Sequence, residues 1–326
     1  MNDGGDTASV ELVDAFTDEP LAGNPAGVVF DADELVDEQC QSIANELSVS
    51  ETAFASASDD ADYRLRYFTP TQEVDLCGHA TIGTLVAAHE SGRLEPGPAT
   101  IETNVGVLDV EIEPDDTAWM TQDAPTVREV DLTYDRVADA LGVDVAALSG
   151  VGADLPLAVS STGLPFLIVP ITYLQDVGGA EPDMAKIEAL ATDVDATGVY
   201  LFTFDALEAD STLHGRMFAP GAGVPEDPVT GTASGAAGAY LRRFGAFSGG
   251  STGTITAGAG GDTSVAVSID ESEPTELVME QGHYVDRPGR VRVRVDGDVR
   301  VGGQGVVSLT GEVVVPPVDD DDIIEG

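Results

Sequence analysis

Gly78-His79-Ala80-Thr81-Ile82-Gly83-Thr84-Leu85-Val86-Ala87-Ala88 and Gly231-Thr232-Ala233-Ser234-Gly235-Ala236-Ala237-Gly238-Ala239-Tyr240 are the stretches on which the fold turns. From Ala80 to Ala88 and from Ala233 to Tyr240 both consist of Ala, Gly, Thr and Ser with a few larger apolar residues. A helix without a polar stripe is buried on all sides. Each stretch is therefore expected to be a central helix with strands wrapped around it.

The sequence around the two helices repeats. Gly23-Asn24-Pro25-Ala26-Gly27-Val28-Val29 is matched by Gly163-Leu164-Pro165-Phe166-Leu167-Ile168-Val169, and Arg66, Phe68 and Pro70 recur as Arg216, Phe218 and Pro220. With Gly78 and Gly231 these matches keep their order at offsets of 140, 150 and 153, a drift that loop insertions produce. An internal duplication follows. The expected fold is α+β, with two pseudo-symmetric lobes, each a mixed β-sheet or barrel around its buried helix. The N-terminal lobe is expected over 1–125, joined by the last strand at about 306–316; the C-terminal lobe spans 126–305, and 317–326 is an acidic tail expected to be disordered.

Local patterns fill in the elements. Val10 to Phe16 and Ala26 to Phe30 read as strands around a Pro20/Gly23/Pro25 turn. A helix follows, with Asp33 as its N-cap and Leu35, Val36, Cys40, Ile43, Ala44 and Leu47 on one face. Further strands are expected at Glu51 to Ala57, Tyr63 to Phe68, Thr100 to Glu113 and Thr117 to Gln122, and an amphipathic helix at Tyr134 to Leu141. Short strands with glycine turns fill Thr252 to Val315.

The chain has 326 residues, with 59 acidic against 14 basic ones and a formal charge of −45. A charge of that sign and size excludes generic nucleic-acid binding through a basic face. Lys186 is the only lysine. Dispersed acids with almost no lysine suit a halophile surface, because at molar salt the Debye length is about 3 Å and self-repulsion is screened. Met1 to Val10 lacks a cationic or apolar region, and no apolar run is long enough to span a bilayer. With only Cys40 and Cys77, neither a disulfide framework nor metal-ligand spacing is present, so a cytoplasmic protein without membrane partners is expected.

Candidate chemistry sits where the two central helices begin. A helix N-terminus offers unpaired N–H groups and the positive end of the dipole, a natural anion site. If a pseudo-twofold axis relates the lobes, both mouths face the cleft between them, a usual place for a small-molecule site. His79 lies in the first turn of its helix, where a neutral imidazole can donate or accept one proton. Asp227, in Pro225-Glu226-Asp227-Pro228, is held by two prolines close to the second helix. Glu51 opens an otherwise apolar strand. Taken singly, each has an ordinary structural reading: a core histidine, a turn acid and a surface acid.

Together with their neighbours they form a set. Asp14-Ala15-Phe16-Thr17, Gly23-Asn24-Pro25, Ser50-Glu51-Thr52-Ala53-Phe54, Arg66-Tyr67-Phe68-Thr69-Pro70, Asp75-Leu76-Cys77-Gly78-His79-Ala80-Thr81 and Glu226-Asp227-Pro228-Val229-Thr230-Gly231 resemble motifs of the PhzF family of phenazine-biosynthesis-like isomerases. Gln281-Gly282, Arg287-Pro288 and Gly302-Gly303 are similar to its C-terminal signatures, so the resemblance covers about residues 10 to 315. It implies the two-lobed diaminopimelate epimerase-like fold, an isomerase acting without cofactor or metal, and a homodimer. It also implies a small carboxylate substrate such as trans-2,3-dihydro-3-hydroxyanthranilate. Carried over by position, the catalytic glutamate is Glu51, with His79 and Asp227 beside it; Asn24, Gly78, Gly231 and Thr232 would bind and shape the substrate. Thr232 stands where the phenazine enzyme has serine, and Asp286 and Gly289 flank Arg287-Pro288 where glycine and serine are more usual.

Two other readings compete. An amino-acid racemase or epimerase on the same fold needs opposed bases: a second thiol is missing before Gly231, but Glu51 and Asp227 form a possible acid pair. A non-catalytic metabolite-binding protein would need neither Glu51 nor His79 as a proton carrier.

Overall fold

Burial on every side is what the two small-residue stretches show. All residues from Ala80 to Ala88 are buried, as are those from Ala233 to Leu241. The computed structural model describes residues 6–151, 155–247 and 274–317. In its first half the chain forms β1 (Thr7–Ala15), β2 (Asn24–Val29), α1 (Asp37–Leu47), β3 (Glu51–Ser56), β4 (Tyr63–Phe68), β5 (Glu73–Val74) and α2 (Gly78–Glu90). It continues through β6 (Gly97–Thr103), β7 (Gly106–Ile112) and β8 (Ala118–Thr121). The second half forms β9 (Thr126–Glu129), α3 (Tyr134–Leu141), α4 (Val145–Ser149), β10 (Ala158–Ser161), β11 (Pro165–Pro170), α5 (Leu174–Gly178), α6 (Met184–Asp193), β12 (Gly198–Thr203) and β13 (Leu213–Ala219). It ends with β14 (Val224–Asp227), α7 (Gly231–Arg243), β15 (Glu276–Gln281), β16 (Gly289–Arg294), β17 (Arg300–Gly303) and β18 (Gly305–Val314).

The pairings repeat strand for strand. In the first half β1–β2 is antiparallel, β2–β3 parallel, β3–β4 antiparallel, β4–β6 parallel, and β6–β7 and β7–β8 antiparallel. The second half gives the same sequence of directions from β10 through β11, β12, β13, β15 and β16 to β17. Two further strands exchange places: β18, from the end of the chain, pairs with β1, whereas β9, which directly follows β8, pairs with β10. An antiparallel ladder between β8 and β17, Arg300 to Thr121 through Gly303 to Ala118, joins the halves. Helix α2 packs on β1, β2, β3, β8 and β18; α7 packs on β9, β10, β11, β16 and β17.

Side chains repeat as well. Arg66 donates two bonds to Glu73 of β5 and lies over the Phe68 ring, and Arg216 does the same with Glu226 of β14 and Phe218. The recurring arginine and phenylalanine thus have one physical use, a bidentate ion pair that ties each short strand to its neighbour.

The expected N-cap at Asp33 is not what forms. Asp33 sits in a 3-10 turn, Ala32–Glu34, and its Oδ1 accepts from the Ala57 amide at 2.9 Å. Helix α1 begins four residues later at Asp37, and Gln39 Oε1 accepts from the Val36 N–H at 3.1 Å. The carboxylate is consumed by a strand edge before it can cap a helix. Cys40, Ile43 and Ala44 do face the core, under Phe54 and Phe68. The strand-like run from Thr100 divides at a turn into β6 and β7. Residues 252–273 and the acidic run Asp319 to Asp322 lie outside the described residues.

Candidate active site

Glu51 is the first residue of β3, in register with Ala26 of β2, and His79 is the second residue of α2. Strand end and helix start meet here. His79 Nε2 is 3.4 Å from Glu51 Oε2 and 3.2 Å from Ser50 Oγ, while Nδ1 is 3.4 Å from Cys77 Sγ. The Glu51 and His79 side chains retain 22% and 11% exposure, so the pair is shielded yet reachable. Cys77, at the N-cap of α2, is held as a thiol: burial pushes it well above the ordinary range, and the neighbouring Glu51 and Asp227 charges push further in the same direction.

Asp227 comes from the other half, at the end of β14 and four residues before α7. Asn24 Nδ2 donates to Asp227 Oδ1 at 2.9 Å and to the Val229 carbonyl at 2.8 Å, and the Thr230 hydroxyl donates to Asp227 Oδ2. Gln281 Nε2 donates to the Asp227 carbonyl at 2.7 Å and to Thr230 Oγ1 at 3.1 Å. Burial pushes the Asp227 carboxyl up, against the pull of His79, Thr230 and Asn24. Both its oxygens are committed to neighbours.

Asn24 reaches across because its loop is clamped. Arg287 Nε donates to the Gly23 carbonyl at 2.9 Å, and Nη2 donates to Asp14 Oδ1 at 2.5 Å and the Ala22 carbonyl at 2.8 Å. The unusual residues around Arg287 fit this turn. Asp286 takes φ 57°, a left-handed conformation that a short polar side chain tolerates. At Gly289 a Cβ would lie 2.7 Å from the Phe16 carbonyl and 3.2 Å from Gly23 Cα, so only glycine lets the two backbones meet.

The two helix mouths are not equivalent. A Cβ on Gly78 would meet nothing within 4 Å, whereas one on Gly231 would touch the Phe16 ring at 2.9 Å. The first mouth is open and the second is packed. Thr232 is half-buried in the first turn of α7, and its carbonyl accepts from Thr162 Oγ1 at 3.4 Å. The hydroxyl that holds Asp227 belongs to Thr230. Thr230 occupies the N-cap of α7 as Cys77 occupies that of α2. The structure therefore gathers Glu51, His79, Asp227 and Asn24 and adds Ser50, Cys77, Thr230 and Gln281. Ser50, Cys77, Thr230 and Gln281 all lie within the quoted motifs, which was the available signal.

Glu51, Cys77 and His79 present potential ligand atoms within 4.8 Å of one another. A separate cleft of about 650 Å³, bordered by Phe16, Glu280, Arg290 and Arg292, is not lined by Glu51, His79 or Asp227. Among the described residues no helix is long and apolar enough to cross a membrane.

Comparison with known proteins agrees with this architecture. The family described as phenazine biosynthesis-like protein, PhzC-PhzF, matches residues 13–273. The uncharacterized isomerase YfhB of Bacillus subtilis is 36% identical over 312 residues, 94% of this chain and 96% of that protein. The crystal structure of a PhzF-family phenazine biosynthesis protein from Bacillus anthracis has 32% identity and a TM-score of 0.79, covering 95% of this chain and 100% of that one. A hydroxyproline epimerase from Agrobacterium vitis shares the fold at 13% identity, with a TM-score of 0.53 over 94% of this chain and 91% of its own. A repeated α+β fold, with Glu51, His79 and Asp227 drawn from its two halves, thus places the chain in the PhzC-PhzF family of phenazine biosynthesis-like proteins, as an enzyme of the isomerase class.

Proposed function

We propose that this isomerase moves a proton within a small unsaturated carboxylate of the dihydro-hydroxyanthranilate type, with Glu51 as the proton carrier and without a cofactor. The supporting observation is the approach of Glu51 Oε2 to His79 Nε2 at 3.4 Å, beside an Asp227 whose oxygens are held by Asn24 and Thr230. Glu51 is the acid left free to take and return a proton. Its carboxylate removes a proton from one carbon, the electron pair shifts through the conjugated system, and the same carboxyl returns the proton to the acceptor carbon on the same face. One residue suffices because the substrate never leaves its orientation. His79 and Asp227 hold the hydroxyl and amino groups. The open mouth of α2 at Gly78 takes the substrate carboxylate, which a helix N-terminus favours; Gly231 and Thr232 shape the opposite wall.

A racemase reading needs two opposed bases. At the second mouth Thr230 stands where Cys77 stands at the first, and in an acid pair Asp227 would have to act as a base while each of its oxygens already accepts a bond, from Asn24 and from Thr230. These features favour the single-acid reading. Around it we further propose a cytoplasmic homodimer with salt-dependent stability, built of lobes 1–125 with 306–316 and 126–305.

Proton NMR in deuterated buffer at about molar KCl, with dihydro-hydroxyanthranilate and a panel of unsaturated and amino carboxylates, tests this. Isomerisation or deuterium uptake at an unsaturated centre is expected. Exchange at the α-carbon of a saturated amino acid would favour the epimerase, and binding of a panel member without any exchange would favour a metabolite-binding protein.

A further inference from the structure

Gln281 has no task in this proton transfer, yet it is 1% exposed and bonded through both its polar atoms to the turn that carries Asp227. Its Nε2 donates to the Asp227 carbonyl at 2.7 Å and to Thr230 Oγ1 at 3.1 Å, and its Oε1 accepts from the Thr230 N–H at 3.3 Å. The amide cannot be turned over, because a carbonyl oxygen only accepts and a backbone N–H only donates. Thr230 Oγ1 is thus an acceptor toward Gln281, and its own proton goes to Asp227 Oδ2. On the other side Asn24 Nδ2 is oriented by the Val229 carbonyl and donates to Asp227 Oδ1. Each carboxyl oxygen therefore meets a donor whose direction is set by a third group. A proton on Oδ2 directed at Thr230 would make that hydroxyl accept twice and leave its own proton without an acceptor among the described residues. The network matches a carboxylate, which accepts at both oxygens.

We propose that Gln281 is a positioning residue: it turns the Thr230 hydroxyl proton onto Asp227 and so holds Asp227 as the fixed anion of the site, leaving Glu51 as the acid whose proton moves. Two carboxyls in one site divide their roles when their surroundings differ. Asp227 is met by oriented donors, whereas Glu51 faces His79 Nε2 at 3.4 Å. Burial opposes the Asp227 charge, His79, Thr230 and Asn24 favour it, and Glu51 opposes it. With Cys77, whose thiol feels the Asp227 charge, His79 and Glu51 are the titratable groups that face Asp227 among the described residues. The division of roles rests on the isomerase reading, but the charge of Asp227 belongs to the free protein.

The two are therefore separable by experiment. Carboxyl-carbon NMR of the substrate-free full chain, labelled in its aspartates and titrated at about molar KCl, reads Asp227 directly; the signal missing from Asp227→Asn assigns it. Wild type should be ionised there at neutral pH. A hydrogen bond to a charged group is worth about one pH unit, so Thr230→Val should move the Asp227 titration up by about that much. Gln281→Met should move it in the same direction, and Thr230→Ser, which retains the hydroxyl, should leave it in place. The double variant Gln281→Met/Thr230→Val should titrate with Thr230→Val alone, because Gln281 acts through that hydroxyl. A protonated Asp227 in neutral wild type overturns the proposal, as does an unmoved titration in Gln281→Met or shifts that add in the double variant. Where Gln281→Met does not fold, an unmoved titration in Thr230→Val overturns it. In isomerisation, which needs the Asp227 anion, the acid limb of the rate profile should move to higher pH in the same order of variants. Undiminished isomerisation by Glu51→Gln would refute the proposed function, and the role left to Glu51 with it, while the Asp227 titration stands.

Discussion

Replacing Glu280 by Gln should cost about 3 kcal/mol of stability at neutral pH and clearly less in acid. Glu280 lies on β15 with its side chain 0% exposed; His214 Nδ1 donates to Oε2 at 2.9 Å, as does the Leu207 amide at 2.9 Å, and the Glu208 amide donates to Oε1 at 2.7 Å. Burial alone would raise this carboxyl, but the His214 ring and the two amides outweigh it and hold it at about 2 instead of the usual 4.5. At about 1.36 kcal/mol for each pH unit, that difference is worth about 3 kcal/mol. The folded value is the lower one, so the contribution is fully present above about 4.5 and disappears as pH falls through about 2. A glutamine has one acceptor oxygen and turns an NH2 toward donors that have nowhere else to bond. Urea unfolding of wild type and Glu280→Gln at about molar KCl should show a gap near 3 kcal/mol at about pH 7, narrowing to less than half by about pH 3. A gap under about 1 kcal/mol at neutral pH, or one that does not narrow in acid, would refute the reasoning. The site feels the same anchor, because Gln281, the next residue, holds the Asp227 carbonyl.

Asn24→Ala removes the donor to Asp227 and to the Val229 carbonyl in a residue 1% exposed, and should slow the reaction by about ten- to a hundredfold, equivalent to about 1–3 kcal/mol, measured as initial isomerisation rate. Gly289→Ala should destabilise by about 1–3 kcal/mol in urea unfolding and displace the Asn24 loop, because the atoms it meets are largely backbone. The Asp227 carboxyl is raised in the folded state, so its stabilising contribution is greatest in acid and is lost as pH rises through its folded value. The stability difference between wild type and Asp227→Asn should therefore move in the variant's favour from about pH 4 to pH 8, while isomerisation falls. The unfolding midpoint of wild type should rise between about 0.1 M and 3 M KCl; an unchanged midpoint would contradict the halophile reading of the −45 charge.

The central helices were legible because nothing in Ala80 to Ala88 or Ala233 to Tyr240 offers a solvent face. The duplication was legible for a similar reason: Arg66, Phe68 and their counterparts Arg216 and Phe218 serve a paired, local purpose. The return of the last strand to the first lobe was part of the expected lobe bounds, but its pairing with β1 was not, since a strand's pattern shows which face is buried but not which neighbour it joins. Asp33 misled because a carboxylate ahead of a helix satisfies any nearby N–H equally well, and Ala57 was the one it met. At the site, Glu51, His79 and Asp227 were found through their motifs. The inequality of the helix mouths was hidden, because it depends on Phe16 reaching Gly231 from 215 residues away. The Cys77 contact was hidden by the same geometry, a cap residue folded back on the ring two positions later.

Deuterium exchange by wild type and Glu51→Gln, compared on one substrate in deuterated buffer, tests the central claim most directly. The account predicts carbon-bound exchange and isomerisation by wild type and loss of both in the folded, substrate-binding variant. Exchange at the wild-type rate by Glu51→Gln would contradict it.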